Sequence, residues 1–292
     1  MVTETELKAI VMEVLSGLGY RVAAGPVAPP TDGAPASAAG WQNPEAMAEM
    51  LAATPARIGI RRAGCRYETS SWLQFRMDHA AARDAIFHEV KPALVERLGA
   101  LRVTTRVENP RQFLLRPDLG RRLSPESEAL LRQGGTQGAR VQLIVVDGLS
   151  GTAVEQNALD FIRAFTAGMK AAGLGDPMAH PESQKVGGFG QPLLGTPIYV
   201  SFGRVAIMDH IGELLKPDLV VELVGERPGL VTAESMSAYF CHRPNLKSIE
   251  SDRTLISNIH KGGIPSVEAG AHAAGLAAKI LAAGVSGVKL AL

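Results

Sequence analysis

The sequence predicts an α/β protein whose mainly parallel sheet is flanked by helices, with a helical N-terminal region and a tethered N-terminal amphipathic helix before it. Three apolar runs rich in β-branched residues carry this prediction: Val141–Val146, Thr196–Phe202 and Leu219–Val224. Runs of this length and composition are typical of strands buried on both faces. Helical patterns separate the runs, and strands that alternate with helices form parallel sheets through right-handed crossovers.

Residues 1–20 have the pattern of an amphipathic helix. Thr3 and Glu6 fit a capping box, which satisfies backbone donors at a helix start. Residues 21–40 are rich in alanine, proline and glycine, so they are expected to form a flexible linker rather than a continuing helix. A helix this short is marginal in water, so its apolar face must dock on its own domain or on a partner. That face comprises Leu7, Ile10, Val11, Val14, Leu15 and Leu18.

The rest of the chain divides into two predicted parts. Residues 41–135 have a helical pattern, and residues 136–292 have the α/β alternation. In the second part, Thr152 and Glu155 fit a capping box at the start of a long helix after the first strand. Residues 175–195 are rich in glycine and proline, and we expect them to form a surface insertion.

Two further helices complete the predicted α/β domain. A short helix over Ile207–Leu215 precedes the third strand, and a closing helix covers roughly Ser266–Ala283. Alanine and glycine dominate the closing helix, which permits close packing against a neighbouring element.

The composition excludes several classes of partner and site. The 292 residues carry a formal net charge of +1, which gives no reason to expect nucleic acid or an anionic membrane surface as a partner. No stretch approaches the ~20 apolar residues of a membrane span. Cys65 and Cys241 are far apart and form no CxxC pair, so we expect no metal site built on them. The seven histidines show no ligand-like pairing.

Polar segments follow the predicted strands, where ligands of open α/β sheets bind. Glu226 lies in the segment after the third strand, and its carboxylate suits acceptance of amide N–H bonds. A salt bridge to Arg227 or to another surface arginine is the alternative, and the residues alone favour neither. Motifs for phosphate loops, zinc proteases and nucleophile elbows are absent from the sequence. The polar segments are Asp147–Ser150, Gly203–Val205, Gly225–Gly229 and Thr254–His260.

Seven short strings, in order between about residues 55 and 290, resemble the small (light) subunit of ethanolamine ammonia-lyase. A lone Asp-Gly-Leu-Ser would mean little, but the ordered set is specific. The strings are Arg57–Gly59 with Arg61–Gly64, Phe75–Asp84, Arg116–Leu123, Asp147–Ser150, Gly203–Val205, Gly225–Leu230 and Asp252–Pro265.

The resemblance implies an adenosylcobalamin enzyme that converts ethanolamine to acetaldehyde and ammonia by radical chemistry. In that family a large subunit, a TIM-type barrel, contains the substrate site, and cobalamin lies between the two subunits. This chain is then expected to supply one wall of the cofactor site, to contribute no catalytic residue, and to be inactive alone. The implied cofactor contacts are Val205, Glu226 and Leu255, the last at a position where better-known relatives carry cysteine.

The resemblance also bears on the cobalt ligand and on location. Asp209-His210-Ile211-Gly212 has the wrong spacing for the DxHxxG motif that replaces the lower ligand of cobalamin, so a bound cofactor should be base-on. Residues 1–20 with their linker resemble the encapsulation peptides of bacterial microcompartment enzymes, which implies a cytoplasmic complex inside such a compartment. Two alternatives stay open: a self-contained α/β enzyme with a nucleotide-type ligand, and a structural subunit with a degenerate cofactor surface.

Overall fold

The computed structural model describes residues 41–54, 56–175 and 192–290. The predicted helix over 1–20 and linker over 21–40 lie outside the described residues, as does most of the predicted insertion, residues 176–191. No helix within the described ranges is both long enough and apolar enough to cross a membrane.

The N-terminal part is mostly helical, as predicted, but it also contains strands. Strand β3 is an edge strand of the main sheet and pairs in parallel with a strand near residue 200. The sheet therefore draws on chain from both sides of the predicted division at residues 135 and 136. The elements are α1 (Pro44–Ala53), β1 (Arg62–Ala63), β2 (Arg66–Tyr67), α2 (Thr69–Ile86), α3 (Pro92–Leu98), β3 (Leu101–Thr104), α4 (Pro110–Leu115) and α5 (Pro125–Gly134).

Six strands form the main sheet in the order β3-β5-β4-β6-β7-β8. The first four are parallel, β7 runs antiparallel to β6, and β8 runs antiparallel to β7. The predicted α/β class with a mainly parallel sheet is confirmed. The later strands are β4 (Val141–Val146), β5 (Ile198–Ser201), β6 (Leu219–Gly225), β7 (Met236–His242) and β8 (Arg253–Ile259).

The prediction that the polar segment Thr254–His260 is a loop is wrong, because nearly all of it belongs to strand β8. The sequence analysis also missed β7, its partner. Both strands belong to an antiparallel extension of the sheet, and no α-helix lies between β6 and β8 in the chain. The alternation of strands with α-helices, on which the prediction rests, therefore does not indicate them. Their residues mix polar and apolar types, and β8 is an edge strand with only two buried residues, Ile256 and Ile259.

Helices cover both faces of the sheet. α6 (Gly151–Ala171) and α8 (Ser266–Ala283) lie on one face, and α7 (Ile207–Leu215) lies on the other with α5. The close packing predicted for the closing helix is confirmed. A Cβ added at Gly168 would lie 2.7 Å from the Cβ of Ala274, and one added at Gly270 would lie 2.3 Å from the carbonyl oxygen of Phe161.

The start of α6 differs from the prediction. Its N-cap is Ser150, whose hydroxyl accepts a hydrogen bond from the Ala153 amide. The predicted capping box of Thr152 and Glu155 is therefore wrong. Glu155 instead accepts from the Lys91 amide at 2.6 Å and lies 3.0 Å from His88 Nε2, so it anchors the N-terminal helices to α6.

Helix α2 is tied to the loop after β6. The Arg57 guanidinium lies 2.6 Å from the Asp78 carboxylate on α2 and donates to the Leu230 carbonyl at 2.5 Å. The N-terminal helices therefore flank the carboxyl end of β6. On α2 itself, Trp72 and Phe75 are exposed and stack on one another with ring centroids 5.6 Å apart.

Candidate functional site

The segments after β4, β5 and β6 meet at the carboxyl edge of the sheet and hydrogen-bond one another. Asp147 Oδ2 accepts from the Phe202 amide at 3.0 Å, which joins the ends of β4 and β5. The Leu149 amide donates to the Gly225 carbonyl at 3.0 Å, which joins the ends of β4 and β6. Three of the four predicted polar segments are thus confirmed as neighbours at one edge, which we call the rim.

Two glycines let the rim segments approach one another closely. A Cβ added at Gly225 would lie 2.1 Å from the Ser150 carbonyl oxygen, and one added at Gly203 would lie 2.4 Å from a methyl carbon of Val146. Neither position has room for a side chain. Glycine at both positions therefore allows the ends of β4, β5 and β6 to pack directly on one another.

Asp147 is partly buried at the rim. Burial raises the pKa of its carboxyl to about 7, although amide N–H groups of Phe202, Gly203 and Gly148 oppose that rise. Its Oδ1 atom is buried and has no hydrogen-bond partner within the described ranges. The carboxylate is therefore turned toward the protein, where it holds β4 and β5 together.

Glu226, the first residue after β6, is held by three hydrogen bonds. Ser235 Oγ donates to its Oε2 at 2.7 Å, Ser237 Oγ donates to its Oε1, and the Asn258 amide also donates to Oε1 at 3.2 Å. These donors come from β7, from the residue before it, and from β8. The carboxylate therefore fastens the ends of three strands together.

The hydrogen bonds keep Glu226 ionised. Partial burial by itself raises its pKa, but hydrogen bonds from Ser237, Ser235 and the Asn258 amide, with the field of His260, lower the pKa below its usual value. In the described ranges Glu226 forms no ion pair with Arg227 or with another arginine, so the salt-bridge alternative is not the arrangement found. A carboxylate can accept about four hydrogen bonds. Among the described residues only three donors reach it, which leaves one acceptor position on Oε2.

Val205 lies in the turn between β5 and α7. Its side chain is half-buried against the core on the α7 face. The preceding Arg204 stacks over the Phe113 ring at 4.1 Å and donates to the Phe113 carbonyl at 2.8 Å. The turn is thereby fixed, and Val205 presents backbone and apolar surface at the rim.

Leu255 lies on edge strand β8 opposite Tyr239, with its side chain 46% exposed. The three predicted contacts are therefore spread along the sheet edge. Glu226 follows β6 and Leu255 lies on β8, and only β7 lies between these two strands in the sheet. Val205 follows β5, which lies on the other side of β6 beyond β4. A ligand that touches all three must be large.

Asp209 and His210 face the protein interior. Asp209 pairs with Arg253 at 2.5 Å, while burial raises the pKa of the Asp209 carboxyl to about 6. His210 accepts from the Leu123 amide through Nδ1 and lies 3.3 Å from Glu128 through Nε2. Both imidazole nitrogens are therefore engaged within the chain. Across the described ranges, no cluster of three or more His, Cys, Asp or Glu side chains could hold a metal ion.

Comparison with known proteins identifies the family. The profile of the ethanolamine ammonia-lyase light chain matches residues 44–291. The chain belongs to that family. It is 42% identical to the ethanolamine ammonia-lyase small subunit of Clostridium perfringens over 246 residues, which cover 84% of this chain and 77% of the relative. The small subunits of Clostridioides difficile and Listeria monocytogenes are 43% and 42% identical, and each alignment covers 84% of this chain and 78% of the relative.

The residues that surround Glu226 in this light-chain family member were not predicted from the sequence. Neither Ser235 nor Ser237 belongs to a recognisable motif, and Asn258 lies inside a segment interpreted as a loop. Only the β-strand pairing shows that they converge on one carboxylate. A usable signal was present in Met236–His242, where Tyr239 and Phe240 favour a strand.

Proposed function

We propose that this chain is the small subunit of an ethanolamine ammonia-lyase and forms one wall of an adenosylcobalamin site, completed by a large subunit that acts on ethanolamine. The observation that carries the proposal is Glu226: an ionised, fixed carboxylate at the rim with one acceptor position open. Family membership and the small-subunit names of the relatives support the same assignment.

The residues of the rim fit the chemistry of this cofactor. A corrin ring carries many primary amides, whose N–H groups need acceptors such as Glu226. Gly203 and Gly225 let the three rim segments pack directly on one another, which holds Glu226 and Val205 at the same edge of the sheet. When bound, adenosylcobalamin supplies the radical chemistry, and the protein supplies binding and orientation. The role of this chain is therefore to hold the cofactor rather than to handle substrate.

Val205 and Leu255 provide the apolar part of this wall. Leu255 cannot supply a thiol, but its exposed side chain can pack against the ring or the base of the cofactor. This surface argues against the degenerate-subunit alternative. Because both nitrogens of His210 are engaged inside the chain, no histidine of that segment is available to the cobalt, which supports a base-on cofactor.

Cofactor retention tests this function. We expect hydroxocobalamin to stay bound, through gel filtration, to a co-purified complex of this chain with its large subunit, and to be lost from this chain alone. The reason is that the rim is one wall of a site and encloses no ligand by itself. Retention by the isolated chain would favour the self-contained enzyme, and a complex that assembles but retains no cobalamin would favour the degenerate structural subunit.

We also propose that residues 1–20 direct the complex into a microcompartment. The support is their amphipathic pattern and the proline-rich tract that follows, both upstream of the family match, which begins at residue 44. Deletion of residues 1–20 should leave assembly and specific activity nearly unchanged. A fluorescent reporter fused to these residues should become punctate in a host that makes microcompartments. Diffuse fluorescence there, or failure of the truncated chain to pair with the large subunit, would contradict this role.

A further inference from the structure

Strand β8 contains an irregularity beside Glu226. Ala238 on β7 pairs with Ile256, and Met236 pairs with Ile259. Between these two pairs β8 therefore contains one more residue than β7, which is a β-bulge. The bulge keeps both isoleucines buried and leaves Asn258 exposed. Asn258 adopts a left-handed backbone with φ of 61°. Bulges beside binding sites commonly redirect a side chain, and here the redirected residue is Asn258.

The backbone and the side chain of Asn258 do different things. Its amide N–H donates to Glu226 Oε1 at 3.2 Å, so the backbone is part of the carboxylate's support. Its carbonyl accepts from the Ile264 amide at 2.9 Å, which closes the loop after β8. The side chain is not needed for either bond.

His260 fixes which end of the Asn258 carboxamide faces outward. The Gly262 amide donates to His260 Nδ1 at 3.1 Å, so that nitrogen carries no proton and the neutral ring is protonated at Nε2. His260 Nε2 lies 2.8 Å from Asn258 Oδ1 and is therefore the donor. The oxygen of the carboxamide is thus occupied by the protein, and the Nδ2 amino group has no protein partner within the described ranges.

Gly263 makes this arrangement possible. A Cβ added there would lie 2.2 Å from the Asn258 carbonyl oxygen and 2.6 Å from Asn258 Nδ2. Any side chain at position 263 would therefore collide with the Nδ2 amino group of Asn258, and glycine avoids this collision.

Two hydrogen-bonded residues each have a polar group that the described residues leave without a partner. These groups are the second acceptor position of Glu226 Oε2 and the Nδ2 amino group of Asn258, and the bond that joins the two residues runs from the Asn258 amide to Glu226 Oε1. A primary carboxamide offers the complementary pair, an N–H donor and a carbonyl acceptor on one carbon. We infer that Asn258 is a further cofactor-binding residue, and that Glu226 and Asn258 together bind one primary carboxamide of the corrin periphery. In this pairing Glu226 accepts the amide N–H and Asn258 donates to the amide carbonyl.

The inference rests on the proposed function, and the variants can separate the two. Asn258→Gly removes the side chain but keeps the backbone N–H, and glycine readily adopts the left-handed conformation. Asn258→Asp keeps the size of the side chain and replaces the donor with a carboxylate that repels the amide carbonyl. Lys216→Gly is the matched control, because Lys216 is also left-handed, with φ of 51°, at the C-terminal end of α7.

The experiment measures hydroxocobalamin binding to the assembled complex by equilibrium dialysis at pH 8, together with the unfolding temperature of each complex. Loss of one neutral hydrogen bond predicts an about 3- to 10-fold higher Kd for Asn258→Gly. Asn258→Asp should bind more weakly still, and Lys216→Gly should match the wild type. Asn258→Gly should unfold near the wild-type temperature, because its backbone N–H still supports the Glu226 carboxylate. A purely structural effect through Glu226 would instead lower the unfolding temperature together with the affinity.

The possible outcomes distinguish the two claims. If Glu226→Ala weakens binding but Asn258→Gly or Asn258→Asp binds as well as the wild type, the carboxamide-pair inference is overturned and the proposed function stands. A loss of affinity in Asn258→Gly that comes with a lower unfolding temperature of the complex overturns the inference in the same way. If the wild-type complex binds no hydroxocobalamin, the proposed function fails, and the inference fails with it.

Discussion

The chain alone is expected to release no ammonia from ethanolamine and adenosylcobalamin, whereas a mixture with the large subunit should do so. The rim groups of this chain hold and orient: Glu226 is a fixed acceptor, Asp147 accepts from the Phe202 amide and has its other oxygen buried, and Val205 and Leu255 are apolar. None is an exposed acid, base or nucleophile positioned for a reacting substrate. The chemistry comes from the cofactor and the substrate site from the partner.

A coupled acetaldehyde assay on each subunit separately and on the mixture measures this difference. Activity should appear only in the mixture, and it should increase with this chain until the large subunit is saturated. The Glu213→Ala chain is a suitable control, because Glu213 is an exposed carboxylate near the end of α7, remote from the rim. Turnover by this chain free of large subunit would show that the substrate site had been assigned to the wrong subunit.

The parallel part of the fold was predictable because its strands are buried on both faces. β4 and β6 are buried along their whole length and are apolar except for Gln142 and Glu222, and the closing helix was found with its bounds of Ser266 and Ala283. Such segments need no knowledge of their neighbours, since burial alone selects their residues. The antiparallel extension was less predictable, because β8 at the sheet edge is largely exposed and carries polar side chains.

Only those features of the candidate site that depend on neighbouring residues in the sequence were predictable. The position of Glu226 after an apolar run placed it at the rim. Its partners Ser235, Ser237 and Asn258 are separated from it by nine to thirty-two residues, and strand pairing alone brings them within hydrogen-bond distance. The choice between an arginine and hydroxyl partners for the carboxylate could not be made without that pairing. The same is true of the bulge that exposes the Asn258 side chain.

Glu226→Ala is expected to weaken cobalamin binding by about 1.5–3 kcal/mol, the range for hydrogen bonds to a charged group, or roughly 10- to 150-fold in Kd. Turnover at saturating cofactor should change much less, because the residue binds and orients. The carboxylate has a lowered pKa, so it is ionised above its usual pKa of about 4.3 and loses its charge only as the pH falls below that value. The wild-type affinity should therefore show no contribution from Glu226 titration between pH 6 and pH 8.

Because Glu226 also fastens β6, β7 and β8, its cofactor role must be separated from its structural role. Glu226→Gln keeps an oxygen that can accept from Ser237 and from the Asn258 amide, but its NH₂ group cannot accept from a corrin amide. We expect Glu226→Gln to unfold near the wild-type temperature but to bind cobalamin more weakly than the wild type. Glu226→Ala should lose both stability and affinity. The measurements are thermal unfolding and equilibrium binding on the same complexes, with Glu213→Ala as the control. Wild-type affinity in Glu226→Gln would mean that the carboxylate serves only to join the strands, since the NH₂ group that replaces Oε2 can donate to the Ser235 hydroxyl but cannot accept from a corrin amide.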